Sequence, residues 1–321
     1  MKKTKFIAII VTLILVFAGS ACKKDKDEIN IPLIDYLTIE EMYVDFGNKG
    51  VESWKDSIYM EYNSSDQLIK LTGYYDVMEF QYDSEGRVTR VDQDYVDVTK
   101  RPSATYFLFT WEGNTVTARE YYAPEQPSSR KYVYTLNTDD QITKLEVFYE
   151  DVVKSEEAWV LTEYVDFTWT NDNITMMEYY GRGRKSTESS FNGFPSPFTS
   201  KSDSDFGIEI EETGEIKAID DFILGFKVEA TYDNKVNPFV KYPGLGIFHA
   251  GEMAHIFLSK NNVTSYTETE YYYEEADTET YTVTNEYNQQ NLPVKIEHGS
   301  TYEYEPGSGY TYTETWEIAY L

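Results

Sequence analysis

The stretch that most constrains the fold is 79–91, which reads EFQYDSEGRVTRV. Phe80 and Tyr82 are two residues apart, so on a strand their side chains share one face. Asp83 begins a polar break whose side chains can hydrogen-bond their own backbone, and Gly86 accepts positive φ without a steric penalty. The β-branched residues that follow favour a return strand. The stretch therefore predicts a β-hairpin.

Six further segments repeat this order of an aromatic residue, a polar turn and strand-forming residues. They are 62–71, 111–121, 134–149, 169–180, 232–242 and 287–297. The spacing between copies is irregular, whereas a solenoid with fixed coils would hold its period. Irregular spacing favours an antiparallel meander, in which strand and loop lengths vary. We therefore predict an all-β fold, an antiparallel meandering sheet built from irregular hairpin repeats.

The repeat pattern also resembles known protein families. The order Y-x-x-x-G-x-[IV]-x-x-[IV] is similar to the YD repeats of Rhs-type proteins, whose strands build β shells. It resembles more closely a group of Bacteroides-type lipoproteins of unknown function. These carry YDSEGRV-like units and a late stretch like Asn237-Pro238-Phe239. The resemblance covers about 57–321 and implies a β architecture without implying an activity.

The N-terminus has the organisation of a secretory signal peptide. Three lysines among the first five residues precede an apolar run over 6–17, which is too short for a membrane span. Gly19-Ser20-Ala21 before Cys22 resembles the lipobox at which bacterial lipoproteins are cleaved. We predict that 1–21 is removed and that Cys22 is lipidated; the alternative is an ordinary signal peptide followed by a free cysteine. Because Cys22 is the single cysteine, no disulfide forms within one chain.

The residues after Cys22 bear on localisation. Residues 23–28 read KKDKDE, and charges directly after the acylated cysteine resemble the export signal of surface lipoproteins in the Bacteroides group. The alternative is a solvated tether, which we assign to 22–35. Both alternatives predict an outer-membrane lipoprotein of the cell envelope, either surface-exposed or facing the periplasm, that contacts the membrane through its N-terminal lipid.

Charge and length limit the partners and the domain organisation. The net charge of −28 excludes nucleic acid, which requires a basic surface. We expect residues 36–321 to form the repeat-built β domain. The long segment 181–221 is a candidate junction between two lobes, and 245–257 is the best candidate for a short helix.

His249, Glu252 and His255 in the segment HAGEMAH are the strongest candidates for a metal site. The two histidines are six residues apart, so on a helix they diverge by about 120°. On a strand they share a face that Glu252 does not. We therefore predict no metal site. The sequence contains neither a Gly-x-Ser-x-Gly elbow nor a second cysteine, and we predict no catalytic residue and no cofactor.

Aromatic side chains are the best candidates for ligand binding. The chain contains 30 tyrosines, and Tyr271, Tyr272 and Tyr273 cannot all point to one face of a strand. They are our candidate ligand-stacking residues. We predict a non-enzymatic binding or scaffold role, with a glycan or an envelope protein as partner. The alternative is a hydrolase of envelope or dietary polymers that uses paired carboxylates, such as those at 211–212 or 274–275.

Overall fold

The structure is a computed structural model. It describes residues 31–46, 50–73, 76–95, 105–122, 126–151, 158–182, 222–242, 244, 247, 253–272, 275–305 and 308–321. Leu33–Leu321 form one compact unit. The segment 183–221, which includes most of the proposed lobe junction, lies outside the described residues.

The described chain forms sixteen strands in one closed sheet. Each strand pairs antiparallel with the next along the chain, and β1 pairs with β16. The strands are β1 Ile34–Asp45, β2 Gly50–Tyr62, β3 Leu68–Thr72, β4 Asp76–Tyr82, β5 Val88–Tyr95, β6 Thr105–Glu112, β7 Thr115–Tyr122, β8 Gln126–Leu136, β9 Ile142–Asp151, β10 Ala158–Thr170, β11 Asn173–Arg182, β12 Phe222–Val236, β13 Asn261–Tyr272, β14 Glu275–Tyr287, β15 Pro293–Glu305 and β16 Ser308–Tyr320.

This topology confirms the predicted all-β antiparallel meander and adds what the prediction missed, namely its closure into a barrel. We call the end at which β1 begins the lower end, and the end at which β1 finishes the upper end. The hairpin turns between β2 and β3, β4 and β5, and β6 and β7 lie at the lower end, because each of these pairs runs downward and then upward.

The hydrophobic core lies inside the barrel. Burial alternates along the strands, as in β6 and β7, so one side of each strand faces inward. Phe80 on the inner side is 4% exposed, whereas its neighbour Gln81 is exposed. All sixteen strands contribute buried apolar side chains to a single cluster. The barrel interior is therefore packed with side chains.

Four turns at the lower end share one hydrogen-bonding pattern. In the turn 83–87, Asp83 Oδ1 accepts from the backbone N–H groups of Glu85 and Arg87, at 2.9 and 3.0 Å. Gly86 has a φ of +82°, which confirms the predicted positive φ. The same pattern recurs with Asn63, Asn137 and Asn288 as the accepting residue. An Asn or Asp side chain thus fixes each of these turns.

The predicted hairpin repeats are confirmed in six of seven segments. The segments 62–71, 79–91, 111–121, 134–149, 169–180 and 287–297 each contain the turn of a hairpin. The prediction for 232–242 is wrong. There β12 continues to Val236, and Pro238 then begins a 3-10 helix, Pro238–Lys241. Pro238 has no N–H to give to a strand partner and suits the first turn of a helix.

The connection between β12 and β13 packs against the lower end of the barrel. Asn237 caps the 3-10 helix by accepting from Phe239 N at 3.0 Å, and it also donates to Ser259 O at 2.8 Å. The Phe239 ring lies 5.8 Å from that of Trp316 on β16. Farther along, the Tyr242 hydroxyl accepts from Ile34 N at 3.0 Å. The connection therefore contacts both β16 and the start of β1 at the lower end of the barrel.

The helical content is small. The helix α1, Ala254–Phe257, falls at the end of the range 245–257 in which the sequence predicted a short helix. Ala254, His255 and Phe257 are its buried residues, so it packs inward. Among the described residues, no helix is long and apolar enough to cross a membrane.

A substitution at Gly86 tests the turn directly, because Gly86 has a positive φ. We expect Gly86→Val to lower the free energy of unfolding by about 1–3 kcal/mol, because a β-branched residue is strained at this φ. A new Cβ would also lie 3.2 Å from Gln67 Nε2. Urea unfolding measures the change. Ser84→Ala, at an exposed position of the same turn, is the control and should change stability by less than about 0.5 kcal/mol. Equal stability of Gly86→Val and wild type would contradict the turn geometry.

Candidate functional site

Polar side chains replace the apolar core on the inner side of β1 and β13–β16 towards the upper end. The change is visible along β16, where Ile318 and Trp316 are buried apolar residues and Glu314 and Tyr312 follow on the same side. We call this surface the tyrosine–carboxylate wall. Its carboxylates and tyrosines are Glu41, Glu268, Glu270, Asp277, Glu279, Glu314, Tyr43, Tyr281, Tyr302, Tyr310 and Tyr312.

Tyrosine hydroxyls of the wall bind its carboxylates. Tyr312 donates to Glu314 Oε2 at 2.6 Å, and Tyr302 donates to Asp277 Oδ2 at 3.1 Å. Tyr310 donates to Glu279 Oε2 at 3.5 Å. These bonds orient the rings, because each hydroxyl is held while its aromatic face stays free of the bond.

Three tyrosines near the upper end form a continuous aromatic ladder. The Tyr43 and Tyr310 rings stack with centroids 5.1 Å apart, and the Tyr302 ring lies 5.6 Å from Tyr310. Tyr43 is 38% exposed, and Tyr302 and Tyr310 are half-buried. The ladder therefore presents aromatic surface to solvent beside hydrogen-bond acceptors.

The carboxylates of the wall influence one another's pKa. Burial raises the pKa of Glu41, and the charge of Glu314 raises it further. Burial likewise raises the pKa of Glu270, with Asp277 and Glu279 adding to the effect. The wall thus concentrates negative charge, and a ligand that donates hydrogen bonds to it relieves this repulsion.

Glu314 lies at the base of the wall and has the opposite shift. Burial alone would raise its pKa, but His298 and donated hydrogen bonds from Tyr312 and Trp316 hold the pKa below its usual range. His298 Nε2 lies 3.2 Å from Glu314 Oε2. Glu314 is therefore ionised and engaged with its neighbours.

His255 on α1 lies beneath this base. Its ring centroid is 4.9 Å from that of Tyr266, whose hydroxyl is 3.0 Å from His298 Nδ1. His255 is 3% exposed, and neither of its ring nitrogens has a hydrogen-bond partner within the described part of the chain. Burial and, to a smaller extent, the proximity of His298 lower the pKa of His255 to about 3. The helix thus brings a neutral imidazole against the wall.

A second polar group lies on the inner side of β7–β10. Ser128 Oγ donates to Glu120 Oε2 at 2.8 Å, and both residues are buried. Burial raises the pKa of Glu163 to about 7, although the charge of Arg130 opposes the shift. In strand order β8 is eight strands from β16, so this group lies on the side of the barrel opposite the wall. Arg130 therefore offsets part of the effect of burial on Glu163 within the barrel.

The structure describes only part of the predicted site residues. Tyr271 lies on the outer side of β13, half-buried and opposite Ala276, while the side chains of Tyr272 and Tyr273 lie outside the described residues. The three therefore stay a prediction. Cys22 and the acidic pairs at 211–212 and 274–275 also lie outside the described side chains.

The predicted absence of a metal site is not tested fully. His249 and Glu252 lie outside the described residues, and the structure places His255 inside the barrel. In the ranges that the structure describes, no three His, Cys, Asp or Glu side chains are grouped so that they could hold a metal ion.

The sequence analysis did not identify the tyrosine–carboxylate wall, although the sequence contains part of the pattern that forms it. Tyr310, Tyr312, Glu314 and Trp316 are spaced two apart and so share a strand face. The alternation alone does not tell which face points inward. Tyr43 is joined to Tyr310 only through the pairing of β1 with β16, which the sequence did not reveal.

Comparisons with known proteins give no family. No family model matches the sequence, and no curated protein matches it. A porin-like protein from Bacteroides uniformis aligns over 90% of this chain and 98% of its own, with 8% identity and a TM-score of 0.36. A porin-like protein from Bacteroides vulgatus aligns over 90% of this chain and 99% of its own, with 8% identity and a TM-score of 0.31. Similarities at this level do not assign a function.

The buried imidazole of His255 predicts a pH dependence of stability. Below about pH 6.5 His255 binds a proton in the unfolded chain, whereas in the folded chain its imidazole stays neutral down to about pH 3. The free energy of unfolding therefore falls as the pH drops through this window. We expect the wild type to lose about 1.5 kcal/mol more than His255→Leu between pH 6.5 and pH 5.

Urea unfolding of both proteins at the two pH values measures this difference. Comparing the pH-induced change within each protein cancels the packing effect of the substitution itself. Parallel pH profiles for the wild type and His255→Leu would show that His255 titrates normally in the folded protein.

Proposed function

We propose that this protein is a lipid-anchored, non-enzymatic glycan-binding protein of the outer membrane. The lipid on Cys22 holds it to the bilayer, the barrel lies in water, and the tyrosine–carboxylate wall binds the glycan. The observation that carries the proposal is the aromatic ladder of Tyr43, Tyr310 and Tyr302 beside carboxylate acceptors.

Charges on the outer side of the strands support a barrel surrounded by water. Ion pairs lie there on strands around the barrel, as between Lys55 and Glu40 on β2 and β1. Others are Lys70–Glu79, Arg90–Asp92, Lys144–Glu146, Lys227–Glu229 and Lys295–Glu297. A barrel that faces lipid carries an apolar outer band, and each Lys or Arg at its midplane costs about 2–4 kcal/mol. Here the buried apolar core lies on the inner side of the strands.

The chemistry of the wall suits an uncharged sugar. The aromatic faces of the ladder pack against the apolar C–H face of a sugar ring, as Tyr does with other half-apolar surfaces. Sugar hydroxyls donate to Asp277 and Glu279, and hydrogen bonds to charged acceptors are the stronger ones. Anionic ligands are disfavoured because the wall carboxylates repel them.

The anchor is tested by Cys22→Ser. We expect this variant to move from the membrane fraction to the soluble fraction of the cell, because it lacks the thiol that takes the lipid. Fractionation followed by a carbonate wash measures the change. Continued partitioning of Cys22→Ser with washed membranes would contradict anchoring at this residue.

The wall is tested by Tyr310→Ala, which removes the central ring of the ladder. A glycan array first identifies the uncharged oligosaccharides that bind. We expect the affinity of Tyr310→Ala for them to be about five- to tenfold lower, which corresponds to the loss of one aromatic contact. Calorimetric titration measures it. Tyr59→Ala is the matched control, since Tyr59 is a 55% exposed tyrosine on the outer side of β2.

Three results would contradict the assignment. Glycan binding at the wall would be contradicted if no sugar on the array bound. Equal losses of affinity in Tyr310→Ala and Tyr59→Ala would also contradict it. Release of new reducing ends from a bound oligosaccharide would favour the hydrolase instead.

A further inference from the structure

The three rings of the aromatic ladder lie on three neighbouring strands. Tyr43 is on β1, Tyr310 on β16 and Tyr302 on β15, and these strands are adjacent in the sheet. Tyr302 pairs in register with Tyr310. Tyr43 pairs with Tyr312, which is the next inward-facing position below Tyr310. The ladder therefore crosses the strands and runs around the inner side of the barrel near its upper end.

The spacing of the rings follows the spacing of the strands. Neighbouring strands lie about 4.8 Å apart. The ring centroids are 5.1 Å apart between Tyr43 and Tyr310 and 5.6 Å apart between Tyr310 and Tyr302. One sugar unit of an extended chain has a similar length. Successive units of such a chain can therefore contact successive rings, and the ladder offers three contacts in a row.

Hydrogen bonds hold two of these rings in place before a ligand arrives. Tyr302 donates to Asp277 on β14, the next strand in the same direction. Tyr310 donates to Glu279 on the same strand. Glu279 is fixed in turn, because the buried Ser300 hydroxyl donates to its Oε1. Binding to ordered rings costs little side-chain entropy, and a row of ordered rings favours a ligand whose units lie in a line.

We infer that the aromatic ladder binds an unbranched, β-1,4-linked oligosaccharide of at least three uncharged sugar units, with one unit on each tyrosine. This inference rests on the proposed glycan binding by the wall and specifies the ligand. A β-1,4-linked chain is extended, so its sugar rings follow one another in a line. An α-1,4-linked chain coils away from such a line, and a branch point places a second sugar against the inner side of the barrel.

The inference is tested by calorimetric titration of the full chain in a detergent without a sugar headgroup. The probes are di-, tri- and tetrasaccharides of the β-1,4-linked cello-, manno- and xylo-series and of the α-1,4-linked malto-series. We expect at least one β-linked series to bind. Its trisaccharide should bind about five- to tenfold more tightly than its disaccharide, because it makes one more aromatic contact. Maltotriose should gain less than about twofold over maltose.

Removal of an end ring distinguishes a row of contacts from a single contact. Tyr302→Ala leaves Tyr43 and Tyr310 in place, so the affinity for the trisaccharide should fall about five- to tenfold. The affinity for the disaccharide should fall by no more than about twofold, because only one of its two positions on the ladder is lost. Tyr302→Phe keeps the ring and should retain most of the dependence on chain length.

Tyr59→Ala is again the matched control, since Tyr59 is an exposed tyrosine on the outer side of β2. It should leave the affinities for the di- and trisaccharide unchanged. Thermal melts of each variant exclude unfolding as a cause of lost binding.

Four outcomes would overturn the inference. They are the absence of binding by every β-linked series, equal affinities for the di- and trisaccharide, an equal gain with chain length in the malto-series, and an unchanged trisaccharide affinity in Tyr302→Ala. In each of these cases, a sugar bound on the glycan array and lost in Tyr310→Ala would still support glycan binding at the wall. An array on which no sugar binds would contradict both proposals.

Discussion

The pairing of β1 with β16 is the constraint on which the rest of the structure depends. It runs from Ile34 opposite Tyr320 to Asp45 opposite Tyr310 and leaves the sheet without an edge. Without this seam both strands would expose unpaired backbone groups, and the core side chains Leu37 and Ile318 would lose each other. The closed sheet gives every strand two neighbours, so each strand buries one side in the same core.

The tyrosine–carboxylate wall is built across this seam. Glu41 and Tyr43 on β1 lie opposite Glu314 and Tyr312 on β16, so closure brings two carboxylates together and joins Tyr43 to Tyr310, the central ring of the aromatic ladder. The connection 237–260 supports the base of the wall, since Phe239 packs against Trp316 and α1 places His255 against Tyr266. Stability and the candidate binding surface thus share the same contacts.

The fold could be predicted where its determinants are local. Five residues specify the turn 83–87: Asp83 accepts hydrogen bonds from backbone N–H groups, and Gly86 adopts a positive φ. Both residue types can be recognised in the sequence. The segment 232–242 contains the same residue types, but Pro238 and the capping Asn237 favour a 3-10 helix instead. Barrel closure could not be predicted, because it pairs the two ends of the described chain and leaves no local signal.

The candidate site could be predicted only in part, because it also depends on pairing between strands that are distant in sequence. The alternation on β16 groups Tyr310, Tyr312 and Glu314 on one face, but the inward direction of that face follows from the barrel. The sequence instead directed attention to consecutive tyrosines at 271–273, because a run of aromatic residues is visible without any knowledge of pairing. A face formed by several strands requires their register, which composition does not contain.

The distribution of charge distinguishes the tyrosine–carboxylate wall from the outer side of the barrel. On the outer side, several acids pair with Lys or Arg on the same or the neighbouring strand, so these charges cancel over a few ångströms. On the wall, carboxylates are instead bonded to tyrosine hydroxyls, which hold them in place without cancelling their charge. On the wall, tyrosine side chains therefore fix charged groups and leave their charge available to a ligand, which is why tyrosine marks the proposed binding surface.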